Sequence, residues 1–109
     1  MKNDMNIGEL RDKIEIQEYA EVINEYGASE MTYNTIAIPR AKTKYISSKE
    51  RISNGSQEFS YSIKFIIRYR KGISNEDHYV LFDDIRYNIT NVYPFENRKF
   101  IEISCEKVK

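Results

Sequence analysis

The chain has 109 residues, of which 40% are hydrophobic and 13% aromatic, enough for one domain with a modest core that needs no metal or disulfide. Seventeen basic and seventeen acidic residues cancel, so overall charge favours neither nucleic acid nor an anionic membrane as a partner. The single cysteine cannot form an internal disulfide, and the sequence contains no apolar signal segment and no membrane-length apolar run. We therefore expect a soluble protein made in a reducing compartment.

Two strands are predicted in the N-terminal half of the chain. Ile14 and Ile16 alternate with charged or polar residues, so a first strand is expected over about residues 11–18. After a polar turn, residues 32–47 are typical of a second, longer strand. Pro39 lies inside this segment and has no N–H for a strand ladder, so it is expected at a sheet edge or at a bulge.

One short helical turn is predicted between the second and third strands. Ser47 and Glu50 have the spacing of a capping box, and Asn54-Gly55 can end a helix in the left-handed conformation. The sequence therefore predicts a helix over residues 48–53, inside a loop that covers residues 47–58.

The most regular pattern in the chain is FSYSIKFIIRYR, residues 59–70. Side chains of a strand alternate between two faces, and here one face is aromatic or aliphatic while the other is mainly polar or basic. The predicted core face consists of Phe59, Tyr61, Ile63, Phe65, Ile67 and Tyr69. Twelve extended residues span roughly 40 Å, whereas a compact domain of this length has a radius of gyration of about 13 Å. The strand is therefore expected to curl around a barrel or to project from the body.

Hairpins are predicted to complete the fold. Residues 79–82 and 85–93 flank Asp83-Asp84, a pair that can form a tight turn. A further turn leads to the last strand, which ends near the C terminus. Together the patterns predict one all-β domain over residues 1–109, a small six-stranded β-barrel or sandwich with long strands.

No motif in the sequence supports an enzyme. It contains no glycine-rich phosphate loop, zinc-protease motif or CxxC pair. His78 lies in the loop sequence NEDHY and is expected to be solvated, while Asp83 and Asp84 are expected to point apart in their turn. Cys105 alternates with isoleucines and is expected to be a small core residue. We predict no catalytic residue, no cofactor and no metal site.

A small nucleic-acid-binding β-barrel is the alternative function. Basic residues interleaved with aromatic residues on strands are typical of sheets that bind single strands. In residues 59–70, however, Lys64, Arg68 and Arg70 lie opposite the aromatic face, whereas a stacking platform needs rings and charges on one exposed face. The pattern therefore disfavours binding by base stacking.

Charge is divided unevenly along the chain. One acidic block contains Glu15, Glu18, Glu21, Glu25 and Glu30, and one basic block contains Arg40, Lys42, Lys44, Lys49 and Arg51. A second basic block covers residues 64–71, and a second acidic block covers residues 76–84. These blocks either neutralise each other within one subunit or meet across subunits in a head-to-tail contact. In the second case the candidate interface residues are Arg40, Lys42, Lys44, Lys64, Arg68, Arg70, Glu18, Glu21 and Glu25.

Several segments, taken in order, resemble the tailed-phage head-tail joining family, whose members are also called head-closure or stopper proteins. They are MNIGELRDKIEIQ at 5–17, EYG at 25–27, IRYRKGI at 67–73 and IRYNITNVYPFENRKFIEISCEKV at 85–108. None is a catalytic signature, so the specificity of the resemblance comes from order, spacing and total length. The chain departs from the family in having no tryptophan near the start of the second strand, a place that Tyr33 can fill. A glycine-containing turn is also common in the family where this chain has Asp83-Asp84.

The resemblance implies a β-barrel that assembles as a ring beneath the portal and its adaptor. Such a ring closes the DNA-filled head and provides the surface on which the tail docks. By loop position, it implies that residues 47–58 face the central channel, which makes Lys49 and Arg51 candidates for contact with the DNA end or with neighbouring loops. Met1 to Asp4 precede the family's usual start at Met5, and are expected to be a disordered extension or a misassigned start.

The implied partners are the portal and adaptor proteins, a tail-completion protein and further copies of the chain. We expect assembly in the host cytoplasm, a final location in the virion, and a largely monomeric protein when isolated, because ring contacts form on the connector. A tail-side rather than head-side position in the connector stays open.

Overall fold

The computed structural model describes the backbone of residues 7–53 and 56–108, and the side chains of residues 7–45 and 62–107. Within these ranges a single 3-10 turn (Ile7–Glu9) precedes eight strands. The strands are β1 (Asp12–Lys13), β2 (Glu15–Ile23), β3 (Ser29–Ala37), β4 (Arg40–Ser53), β5 (Ser56–Arg68), β6 (His78–Phe82), β7 (Ile85–Phe95) and β8 (Phe100–Val108). The prediction of an all-β protein is therefore confirmed.

The described strands form one antiparallel sheet in the order β1-β4-β5-β8-β7-β6-β2-β3. The predicted number of six strands is wrong because two long segments are interrupted. Ile14 alone separates β1 from β2, and residues 38–39 separate β3 from β4. The carbonyl oxygen of Pro39 accepts a hydrogen bond from the N–H of Ile14 at 3.2 Å. The two interruptions therefore lie side by side, where proline cannot donate to a ladder.

The sheet curls into a half-barrel because its first segment contacts two distant strands. Lys13 in β1 pairs with Arg40 in β4, and Ile16 in β2 pairs with Val80 in β6. Since only one residue joins β1 to β2, the same stretch of chain draws both of these neighbours together. The concave side of the sheet then encloses the core.

The main core contains the inward-facing side chains of most strands. Ile63, Phe65 and Ile67 of β5 are buried as their alternation predicts, and Tyr69 packs against the cluster. The side chains of Phe59 and Tyr61 lie outside the described residues. The other buried members of the cluster are Ile14, Ile16, Ala41, Val80, Tyr87, Ile89, Ile101, Ile103 and Cys105. The predicted core position of Cys105 is therefore confirmed.

A smaller apolar cluster lies on the opposite side of β5. Ile66 points away from the main core and packs with Leu10, Phe100 and the partly buried Phe95. Leu10 comes directly after the 3-10 turn, and its N–H donates to the carbonyl of Ile7 at 3.0 Å. This cluster fixes the N-terminal turn to the outer surface of the sheet.

The predicted helix over residues 48–53 is wrong, because β4 continues through this segment to Ser53. The backbone of Lys49 is paired with Ser60, and that of Arg51 with Glu58. A capping box satisfies the backbone N–H donors of one helical turn only, and the first turn of a helix is costly to form. Pairing with β5, in contrast, supplies backbone hydrogen bonds along the whole segment. Asn54-Gly55, predicted to end the helix, lies outside the described residues. Within the described ranges no helix is long and apolar enough to cross a bilayer.

Two hairpins extend past the body of the half-barrel. β5 pairs with β8 only from Ser60 to Arg68, and β2 pairs with β6 only from Glu15 to Glu18. The principal extents are 57 × 40 × 21 Å. The radius of gyration is 16.0 Å, larger than the roughly 13 Å expected for a compact domain of this length. The long strand therefore both curls with the sheet and projects from it.

Candidate interaction surfaces

The outward faces of β4 and β5 carry a group of basic side chains, Lys42, Lys44, Lys64 and Arg68, here called the basic face. Lys44 lies directly across from Lys64, and Lys42 lies across from Ile66. Since Phe65 points into the core, its neighbours along β5 must point outward. The alternation of this strand therefore places its cations on solvent-facing positions.

Two of these cations are paired inside the subunit. Lys42 Nζ lies 2.8 Å from Glu9 Oε1, and Lys64 Nζ lies 3.4 Å from Glu102 Oε1. Arg40 donates from Nη1 to the carbonyl oxygen of Arg11 at 3.3 Å. Neither carboxylate belongs to the acidic blocks of the sequence, so these blocks do not supply the ion pairs of the basic face. Such half-exposed pairs contribute at most about 1 kcal/mol each.

The two remaining cations of the basic face, and Arg70 just beyond β5, have no acidic partner among the described residues. Lys44, Arg68 and Arg70 are exposed, and no ion pair involves them in the part of the chain that the structure describes. The direct opposition of Lys44 and Lys64 is unfavourable, because like charges across a strand pair repel. An acidic surface placed against the basic face would relieve this repulsion.

The hairpin of β2 and β3, here called the acidic hairpin, carries Glu18, Glu21, Glu25 and Glu30. Glu21 and Glu25 are exposed, whereas Glu18 is half-buried and paired in register with His78 of β6. Asn24 organises the turn at its end, since its Oδ1 accepts from the N–H groups of Tyr26 at 2.9 Å and Ala28 at 3.1 Å. Gly27 has φ +83°, a conformation that favours glycine. The turn is thus ordered while Tyr26 is 86% exposed.

Three tyrosines and one arginine form a cluster on the outward face of β2, β3, β6 and β7. This tyrosine patch consists of Tyr19, Tyr33, Tyr79 and Arg86. The ring centroids of Tyr19 and Tyr33 are 4.6 Å apart, and those of Tyr33 and Tyr79 are 5.3 Å apart in an edge-to-face arrangement. The guanidinium carbon of Arg86 lies 3.6 Å from the centroid of Tyr33, in cation–π contact.

A chain of hydrogen bonds fixes the arginine of this patch. Arg86 Nε donates to Gln17 Oε1 at 3.1 Å, and Gln17 Nε2 donates to Thr35 Oγ1 at 3.2 Å. The Thr35 hydroxyl in turn donates to Glu15 Oε1 at 2.6 Å. Gln17 is buried, and buried polar groups need hydrogen-bond partners. Both its amide oxygen and its amide nitrogen have one here. Sequence reasoning missed this patch because its members come from four strands, and only the strand register brings them together.

Over residues 5–108 the chain matches the family described as phage head completion protein. The chain belongs to the phage head completion protein family. This is a family of structural virion proteins and not a class of enzymes. The match confirms the predicted resemblance, the role in head closure and the virion location. No curated protein matches the chain.

Solved structures share the fold of this head completion protein. A chain of the virion of the native gene transfer agent particle superposes with a TM-score of 0.71 at 11% identity, covering 92% of this chain and 96% of that one. Protein SF1141 from Shigella flexneri 2a superposes with a TM-score of 0.64 at 25% identity, covering 94% and 96%. At 11% identity the first likeness shows the fold alone.

The proposed channel-facing residues of this head completion protein lie in the projecting β4–β5 hairpin. The structure places the backbone of Lys49 and Arg51 in β4. Their side chains lie outside the described residues, so their orientation toward a channel stays a prediction.

His78 of this head completion protein does not lie in a solvated loop. It is the first residue of β6 and is 9% exposed. Its Nδ1 accepts a hydrogen bond from the backbone N–H of Ser74 at 3.1 Å. The prediction of a solvated histidine is wrong because the strand begins one residue earlier than its apolar pattern indicates. The imidazole thus anchors the loop that precedes β6.

The other side chains considered for chemistry have structural surroundings. Burial raises the pKa of the Cys105 thiol to about 12, so the thiol stays protonated and is a poor nucleophile near neutral pH. Asp83 and Asp84 have φ values of 55° and 64°, which confirms the predicted tight turn. In the described part of the chain, no three His, Cys, Asp or Glu residues lie close enough together to hold a metal ion.

Proposed function

We propose that this head completion protein joins phage heads to tails by assembling as a ring on the portal or its adaptor. The ring closes the DNA-filled head and presents the surface on which the tail docks. The observation that carries this proposal is the family match over residues 5–108, which covers nearly the whole chain. The fold likeness to a virion chain of a gene transfer agent particle supports it.

The ring forms through unlike surfaces of neighbouring copies. The acidic hairpin supplies Glu18, Glu21 and Glu25, while the opposite side of the contact supplies Lys44, Arg68 and Arg70. Arg40, Lys42 and Lys64 lie beside them and already have partners inside the subunit. A contact between two different patches closes into a ring when the rotation between copies allows it.

Assembly depends on the connector as a template. Each exposed charge pair is weak, but ring closure raises the effective concentration of neighbouring copies and multiplies their contacts. The protein is therefore largely monomeric when isolated, and it becomes a ring on binding the portal or adaptor during assembly in the host cytoplasm. A tail-completion protein then binds the exposed surface of the ring. A tail-side position in the connector uses the same contacts with different neighbours.

A nucleic-acid-binding barrel is the second candidate function, because Lys44, Arg68 and Arg70 are exposed cations on or just beyond the neighbouring strands β4 and β5. The outward neighbours Ile66 and Phe100 are buried in the smaller apolar cluster and are not available for base stacking. The basic face therefore lacks the exposed rings that single-strand binding requires among its described residues.

A salt titration of DNA binding separates the two functions. With single-stranded and duplex DNA at physiological salt, we expect dissociation constants no tighter than roughly 10⁻⁴ M, because few cations are free to neutralise phosphates. The measurement is fluorescence anisotropy of labelled oligonucleotides from low to high salt. Micromolar binding with a steep salt dependence would contradict the assembly proposal and favour the nucleic-acid-binding barrel.

A further inference from the structure

We propose that the tyrosine patch is a docking site for the basic face of a second copy of this chain. This inference rests on the proposed ring and names the surfaces that touch within it. The patch supplies the apolar and aromatic centre of the contact, and the acidic hairpin supplies its charged rim. The occupant is thus the surface formed by Lys44, Lys64 and Arg68 of the neighbouring copy.

The tyrosine patch has the composition of a binding hot spot. Tyrosine and arginine are enriched among residues that dominate interface energies, and outward sheet positions are ordinarily polar. Tyr19 is 47% exposed, and the apolar surface continues along the hairpin to Met31 and to Ile23, which is 74% exposed. In β2 and β3, Tyr19 pairs with Tyr33, and Glu21 pairs with Met31, so these side chains form one continuous strip.

The patch is arranged before any partner binds. Arg86 is held between the ring of Tyr33 and the amide of Gln17, and Gln17 is held in turn by Thr35. Side chains fixed in this way lose little conformational entropy on association, which is a main cost of forming an interface. The hydrogen-bond chain therefore stabilises a surface ready for contact.

The charges beside the patch favour a cationic partner. Glu15 and Glu21 lie on the same outward face as Tyr19, so a polyanion such as DNA would be repelled there. Tyrosine rings attract cations over their faces, as Arg86 over Tyr33 already shows within the subunit. The partner surface is therefore expected to be basic.

The basic face of the same chain meets this requirement. Lys44 and Arg68 are exposed without acidic partners among the described residues, and the repulsion between Lys44 and Lys64 would fall on contact with Glu21. The basic face lies on β4 and β5, whereas the tyrosine patch lies on β2, β3, β6 and β7. One copy can therefore use both surfaces at once, which is the condition for a head-to-tail ring.

A pair of matched tyrosine variants tests the patch in assembled particles. Tyr19→Ser removes an exposed ring from the patch, and Tyr45→Ser removes a 76% exposed ring of β4 that lies across from the buried Ile63, on the concave side of the sheet and so outside both surfaces. In a host whose own gene is deleted, we expect Tyr19→Ser to lower incorporation of the protein into purified particles about tenfold. A small loss of binding free energy at one contact is repeated at every contact of the ring. Tyr45→Ser is expected to leave incorporation unchanged. Thermal unfolding of both purified variants checks that each is folded.

A charge exchange tests whether the partner is a second copy. Glu21→Lys and Lys44→Glu are each expected to reduce incorporation, and the double variant is expected to restore it, because the exchanged charges meet again between copies. A double variant no better than the worse single variant overturns the inference, as does normal incorporation of Tyr19→Ser or of either single variant. These results leave head joining itself intact, since that role fails only if particles assemble normally without the gene.

Discussion

Phe65→Ala is expected to destabilise the protein by about 3–5 kcal/mol, the cost of removing a large aromatic side chain from a packed core. Phe65 of β5 is fully buried and meets the rings of Phe82 and Tyr87 edge-on at centroid distances of 5.3 and 6.0 Å. Since domains are stable by only about 5–15 kcal/mol, this loss removes a substantial share of the free energy of unfolding. Urea denaturation followed by far-UV circular dichroism measures the change.

Phe95→Ala is the matched control for this prediction. Phe95 is a half-buried phenylalanine of the smaller apolar cluster, and it stacks on Phe100 at 5.8 Å. Its removal is expected to cost clearly less than the loss of Phe65, because part of the cavity is open to solvent. Equal losses for the two variants would contradict the placement of the principal core on the concave side of the sheet.

Lys49→Glu combined with Arg51→Glu is expected to impair the retention of packaged DNA while leaving the fold intact. The resemblance to head-closure proteins implies that the β4–β5 hairpin faces the channel, and in the proposed ring a reversal of two charges per copy would be repeated at every subunit. Negative side chains there repel the DNA end and neighbouring loops. The measurement is the ratio of DNA-filled to empty heads in lysates by negative-stain electron microscopy, where we expect empty heads to become the main class.

Lys71→Glu combined with Lys99→Glu controls for net charge in this experiment. Both lysines are exposed and lie outside the projecting hairpin, so the same change of charge is expected to leave filled heads at normal yield. Circular dichroism of each purified variant tests whether it is folded. Normal DNA retention by the hairpin variant would remove the channel-facing assignment.

Local sequence patterns were sufficient to predict features whose physical cause lies within a short segment of the chain. The alternation of Ile63, Phe65 and Ile67 identifies the core face of β5, because successive side chains of a strand must point to opposite sides. The Asp83-Asp84 turn was predictable for the same reason, since short polar side chains tolerate positive φ.

Features that depend on strand pairing could not be derived from local pattern. The capping-box spacing of Ser47 and Glu50 suggested a helix, but long-range pairing with β5 overrides a weak local preference. The interruption between β1 and β2 at Ile14 could not be predicted from neighbouring residues, because it is explained by the hydrogen bond from the Ile14 N–H to the distant Pro39 carbonyl.

The interaction surfaces were predicted in part. Blocks of like charge were visible in the sequence, yet the actual partners of Lys42 and Lys64 are Glu9 and Glu102, which lie outside those blocks. The tyrosine patch was invisible because Gln17 and Arg86 are 69 residues apart in the chain and meet only across β6. Both the ion-pair partners and the tyrosine patch depend on the register of distant strands, which no pattern within a single sequence specifies.

Deletion of the gene from an inducible host is the most direct test of head joining. After induction, the lysate is imaged by negative stain, and a cloned copy of the gene is supplied in a parallel culture. The account predicts finished free tails beside heads that have packaged DNA and lost it, with intact virions restored by the cloned gene. Intact virions at normal yield without the gene would contradict the role in joining heads to tails.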